Sequence, residues 1–253
     1  MRKLHVAFHL TALFSTFLLT ASTGALAQQM RLNQVTVDTP PVWIKAARIQ
    51  RVVDRLENKL EWDIRKIRVV FYADQAALLK EFGVSDAPIS AFARKTDQSV
   101  HLGPKVDPQN FDAIFGHELS HVISYQKYKE AIPRWLEEGL ANLVSKNGKP
   151  DYVWLASQNP LPHVQAMGHP FKAVTTGQEA IGSIRLHYEA SHALADLLAT
   201  RCGLHDLLQL SMGSSVEKYI ATLCGIADLD KALRDWVGRK AKAGAGHSPL
   251  LRN

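Results

Sequence analysis

Residues 117–121 read His-Glu-Leu-Ser-His, and this short run constrains the chain more than any other part of it. In an α-helix, positions four apart project from one face, so His117 and His121 can reach a common metal ion. Glu118, about 100° further round, can touch a metal-bound water without taking a coordination position. Local signals put the run in a helix. Pro104, Asp107, Pro108 and Asn110 punctuate the chain ahead of it, and Asn110 is a natural N-cap. Phe111, Ile114, Phe115, Leu119, Val122 and Ile123 then recur near helical spacing. A catalytic zinc site needs a third protein ligand and an open fourth position. The segment Pro133-Arg134-Trp135-Leu136-Glu137-Glu138-Gly139-Leu140-Ala141 is placed to supply it. The first helix can end near Lys129, turn at Ile132 and Pro133, and return antiparallel. His117, His121 and Glu138 then converge on one Zn2+ per chain, with Trp135 and Leu136 packing the second helix on the first.

Each residue type has a separate reason to be there. Neutral imidazoles and one carboxylate bind zinc without over-neutralising it, so the ion stays a Lewis acid and lowers the pKa of its water toward about 7. Glu118 is then the candidate general base, taking the water's proton and passing it to a leaving amine. Asn142, four residues after Glu138, shares its helical face and can accept the outer N–H of a zinc histidine. Glu137 is an alternative for the same work, and the sequence leaves both open.

HELSH followed by WLEEGLA resembles the gluzincin metallopeptidases, and within them the small bacterial peptidase MA-like group. There one helix carries HExxH and the next W-L-x-E-G-x-A. The resemblance implies His117, His121 and Glu138 as ligands, Glu118 as base, and a peptide or protein substrate. Downstream, Tyr188-Glu-Ala-Ser191-His192-Ala-Leu194 resembles the family's later helix. It makes Tyr188 the first candidate for an oxyanion donor and His187 the second, since adjacent helical residues cannot face one point. Upstream, a strand is expected from Ile67 to Tyr72, then a hairpin of Ile89 to Ala93 with Ser99 to Gly103. Coverage runs from about Ile67 to Trp236. The implied fold is α+β: a zincin-like domain with a small mixed or antiparallel sheet, an active-site helix and a helical C-terminal part. In such folds an edge strand pairs with extended substrate, and Ser99-Val100-His101-Leu102-Gly103 stands at that place in order, with His101 expected in solvent.

The remaining chain reads as one domain. Thr39-Pro40-Pro41 opens an amphipathic helix with Ile49, Val52, Val53, Leu56 and Leu60 on one face. Asp74 caps a short helix ending before Gly83. From Asn147 to Gly182 the density of Gly, Pro and His predicts irregular structure overhanging the cleft. From Ile184 to about Ala241, three or four helices are expected, broken at Gly203, Gly213 and Gly225. His163, His169, His192 and His205 read as structural or solvated.

Arg2 and Lys3, an apolar run from about Val6 to Leu19 and Ala25-Leu26-Ala27 have the layout of a secretory signal over residues 1–27. Residues 28–253 would then be an exported, periplasmic or secreted domain, with no second apolar run able to span a membrane. Cys202 and Cys224 are the chain's two cysteines, and in an exported protein such a pair is expected to bond. Removing Arg2 and Lys3 lowers the +6 net charge by two. The remaining Lys and Arg are dispersed without an aromatic pattern, which argues against nucleic acid as a partner. Two other functions fit the motif: a zinc hydrolase of non-peptide amides, and a cell-envelope binding or assembly factor that keeps the metal with little turnover.

Overall fold

The computed structural model describes residues 29–129, 132–145, 148–158, 160–164, 167, 177–210 and 216–245. The proposed signal segment, His169, Gly213 and much of the 147–182 stretch lie outside these residues. Among the described residues the chain forms a five-stranded sheet and nine helices. The sheet runs β1 (Gln29–Arg31), β2 (Val35–Asp38), β3 (Ile67–Phe71), β5 (Ser99–Leu102), β4 (Ala91–Arg94) across its width. It is mixed: β2, β3 and β5 are parallel, while β1 and β4 join the two rims antiparallel.

The hairpin forms as expected, but its order in the sheet corrects the sequence reading. β5 is an interior strand, hydrogen-bonded on both sides, and β4 is the rim. His101 is therefore 3% exposed rather than solvated, stacked between the rings of Phe92 and Tyr72. Tyr72 Oη and Ser99 Oγ lie 2.9 and 2.8 Å from its two ring nitrogens. β1 and β2 went unpredicted; the alternation of Val35 and Val37 around Thr36 was the available signal.

Helix α1 (Ala46–Leu60) buries the five apolar residues expected of it, yet starts several residues after the prolines. The Pro41 carbonyl instead accepts from Ile44 N, closing a turn ahead of the helix. Asp74 Oδ1 accepts from Ala77 N to cap α2 (Gln75–Phe82), which ends at Gly83 in a left-handed conformation. Then come α3 (Phe111–Tyr128) and α4 (Arg134–Ser145). Asn110 precedes α3 but its side chain does not cap the helix. Its Oδ1 accepts from Asp107 N and its Nδ2 donates to Lys105 O, while Asp107 Oδ1 receives the N–H groups of Gln109 and Asn110.

The stretch expected to be irregular contains a short helix, α5 (Tyr152–Ser157), and the start of α6 (Gly177–Cys202). Asp151 Oδ1 caps α5, a local signal outweighed in the sequence by nearby glycines and prolines. α7 (Leu204–Leu210), α8 (Val216–Leu223) and α9 (Leu229–Ala245) complete the helical part, with Gly203 and Gly225 at positive φ between helices. Cys202, at the end of α6, is disulfide-bonded to Cys224 after α8. Among the described residues, no helix is long and apolar enough to cross a membrane.

One continuous core joins the sheet, α1, α3, α4 and α6. α4 lies between α3 and α6, and Trp135, Leu136 and Leu140 fill the interfaces at 0–2% exposure. The β4–β5 hairpin packs on α3, so the sheet rim borders the helix carrying the HELSH run.

Candidate metal centre

His117 and His121 project from one face of α3, and Glu138 meets them from α4, buried to 2% exposure. His117 Nε2 and His121 Nε2 are 3.2 Å apart, and Glu138 Oε2 is 3.4 Å from the first and 3.6 Å from the second. Four donors arranged tetrahedrally at about 2.0–2.1 Å from a zinc ion stand roughly 3.3–3.4 Å from one another. The three atoms thus form one face of such a polyhedron. Such a triad is compatible with a divalent metal site.

The outer partners of the imidazoles strengthen the fit. His117 Nδ1 lies 3.1 Å from Asn142 Oδ1, and His121 Nδ1 lies 3.0 Å from Glu137 Oε1. Both partners are acceptors, so each Nδ1 carries the proton and each Nε2 turns a lone pair inward. Glu138 Oε2, also without a hydrogen-bond donor, faces the same point. Three converging lone pairs in a buried site repel one another unless a cation or an extra proton lies between them. The sequence left Asn142 and Glu137 as alternatives; the structure puts each against a different histidine.

Charge around the triad follows from burial and pairing. Burial alone would raise the carboxyl pKa of Glu138, but His121, His117 and Arg134 outweigh it and hold it down at about 2. Glu137 is likewise held well below the carboxylate range: burial is opposed by His121, Arg134 and Lys95. For His121, burial favours the neutral ring, yet Glu138, Glu137 and Glu118 together raise its pKa. Glu137 and Glu138 are thus held ionised, the form that accepts hydrogen bonds and can ligate a cation.

Glu118 and Tyr188 border the triad's two adjoining cavities, of about 310 and 250 Å³. The Tyr188 ring centre is 6.1 Å from that of His117. Burial, then the nearby carboxylates of Glu138 and Glu118, push its phenol pKa up, so it stays an O–H donor. His187, one position away, lines neither cavity; its Nδ1 is buried without a partner and burial lowers its pKa. His192 is buried and feels the charge of His117, while His163 meets Asp230 at 2.8 Å and His205 meets Glu61 at 2.9 Å.

Three features of the site escaped the sequence. Arg134 reaches Glu137 and Glu138 from one and the same guanidinium, a partnership its spacing of three and four residues could have signalled. Lys95, in the turn between β4 and β5, lies 2.9 Å from Glu137 Oε1, a contact across 42 residues with no local trace. The third is the open rim of β4. Ser90 O accepts from Gly103 N, so by antiparallel alternation Phe92 and Arg94 bond to β5, while Ala91 and Ala93 turn their N–H and C=O groups outward along the cavities. No protein-family model matches the chain, and no curated protein matches it either.

Proposed function

We propose that this chain is an exported zinc-dependent metallopeptidase of gluzincin type, hydrolysing peptide bonds with Glu118 as general base. The carrying observation is the 3.2–3.6 Å triangle of His117, His121 and Glu138 at the wall of a cleft that Glu118 and Tyr188 also border. A zinc ion held there supplies Lewis acidity, polarising a carbonyl and bringing a water's pKa toward neutrality. Glu118 takes the proton as the water oxygen attacks the carbonyl carbon, and returns it to the amine nitrogen as the C–N bond breaks. The Tyr188 hydroxyl donates to the oxyanion that develops at the carbonyl. Asn142 and Glu137 keep both histidines in one tautomer, so neither ring must reorganise during turnover.

Substrate backbone is placed at the outward-facing groups of Ala91 and Ala93, where an extended peptide adds as a sixth strand beside the triad. This transfers the edge-strand role from the segment 99–103 to β4. Ala91 and Ala93 are small, while Phe92 between them lines the same cavity. Export is supported by the bonded cysteine pair, which is stable in oxidising compartments.

The deciding experiment compares the zinc-loaded mature chain with Glu118→Gln on a peptide library. The parent is expected to bind about one zinc and cleave, and the variant to keep its zinc while losing cleavage. Equal cleavage by both would refute the assignment of Glu118. Cleavage of amides but never of peptides would move the protein to the non-peptide hydrolases.

A further inference from the structure

We infer that Arg134 is a positioning residue whose guanidinium holds Glu138 to a single coordinating oxygen, reserving one side of the metal for water and substrate. The inference rests on the zinc reading of the triad and adds a role to a residue outside the motif's metal-binding positions. Arg134 opens α4, so its side chain runs along the helix past the next turn. Its Nη2 lies 2.9 Å from Glu138 Oε1 and its Nη1 lies 3.0 Å from Glu137 Oε2. One oxygen of Glu138 is thereby occupied. The other, Oε2, faces the two imidazoles with no hydrogen bond.

That division matters because a carboxylate can bind a cation through one oxygen or both. With Oε1 released, Glu138 could rotate and chelate, filling the position that a hydrolytic site keeps open. A guanidinium is suited to prevent this. It is planar and permanently charged, and its fixed fork spans two acceptors that a lysine ammonium, a flexible point charge, does not hold in register.

The fork itself is anchored. Glu137, 6% exposed, pairs with His121 Nδ1–H on Oε1 and receives Lys95 and Arg134 on Oε2, with Lys95 Nζ also 2.9 Å from Oε1, so both its oxygens are engaged. Arg134 is pinned by Glu137 on one nitrogen and pins Glu138 with the other. A simple charge-balancing role for Arg134 would be satisfied equally by lysine, and this separates the two explanations.

The test uses the mature chain with Co2+ in place of zinc, reading coordination from the intensity of its visible absorption, together with metal affinity by chelator competition. The parent is expected to give the strong bands of a four-coordinate site. Arg134→Gln and Arg134→Lys are both expected to give the weaker bands of a five-coordinate site, with affinity or turnover altered 10- to 100-fold, on the order seen for groups that support metal ligands. Unchanged spectra and affinity in both variants would overturn the inference, as would a change in the Gln variant alone, which is the signature of lost charge. A five-coordinate parent also overturns it. If Arg134→Gln fails to fold, by far-ultraviolet circular dichroism, the Lys variant decides. A parent that binds neither Co2+ nor Zn2+ removes the metal reading itself, a different failure.

Discussion

A Cβ built on Gly139 falls 2.2 Å from the carbonyl oxygen of Ser191 and 2.9 Å from the Ala195 Cβ. α4 and α6 touch here backbone to backbone, directly beside Glu138. Any side chain at 139 must push the two helices apart, and the neighbour that would have to move is main chain. Gly139→Ala is expected to cost about 1–3 kcal/mol, the usual range for overpacking. It should also weaken zinc binding, because the displaced turn carries Glu138. Denaturant melts with and without zinc measure both effects.

Ala93→Pro tests the rim of β4. Its N–H faces outward, so proline there removes no bond of the β4–β5 ladder, and edge strands tolerate the residue. Substrate loses one main-chain partner. The expected result is a raised KM with folding and zinc content unchanged, read from steady-state kinetics and metal analysis. An unaltered KM would mean that substrate does not pair with this strand.

Tyr188→Phe removes one hydroxyl and little volume. If that hydroxyl serves the oxyanion, kcat should fall by about 10²–10³ with a smaller change in KM, as for other donors of this kind. His187→Ala, at a position bordering neither cavity, is expected to leave kcat near the parent value. Reversal of these two outcomes would exchange the roles of the neighbours.

His101 links stability to pH. Burial first, then the Arg94 charge, lower its pKa to about 4, against 6.5 for a free ring. The unfolded chain therefore binds the extra proton between those values, and stability drops as pH falls through the window from about 6.5 to 4. The contribution is at most ~3 kcal/mol. His101→Gln should remove one proton from the slope of unfolding free energy against pH in that interval. His192, lowered by burial to about 4 as well, keeps its own share in the variant.

The sequence displayed what is local. His117, His121 and Glu138 sit on two helices joined by a short connection, so their meeting followed from spacing, even though α3 is buried on most of its sides. Cys202 and Cys224 likewise pair, as expected from their being the chain's two cysteines behind a signal-like leader. Sheet order was hidden, because a four-residue strand such as Ser99–Leu102 carries no mark telling an interior position from a rim. His101 was misjudged for that reason: its burial depends on β3 and β4 arriving from both sides. Asn142 and Glu137 looked interchangeable because each is near the ligands on α4; only the relative rotation of α3 and α4 assigns one to His117 and the other to His121.

Helix α6 carries Tyr188 near its middle and ends in the cystine at Cys202, about 21 Å further along at 1.5 Å per residue. Between those points Asp196 accepts from Tyr152 of α5 and Trp236 of α9, fastening the rod to two neighbours. A reductant acting on the cystine would therefore loosen the distal end while the staple at Asp196 shields the phenol, so damage at one pole of the molecule need not travel to the chemistry at the other.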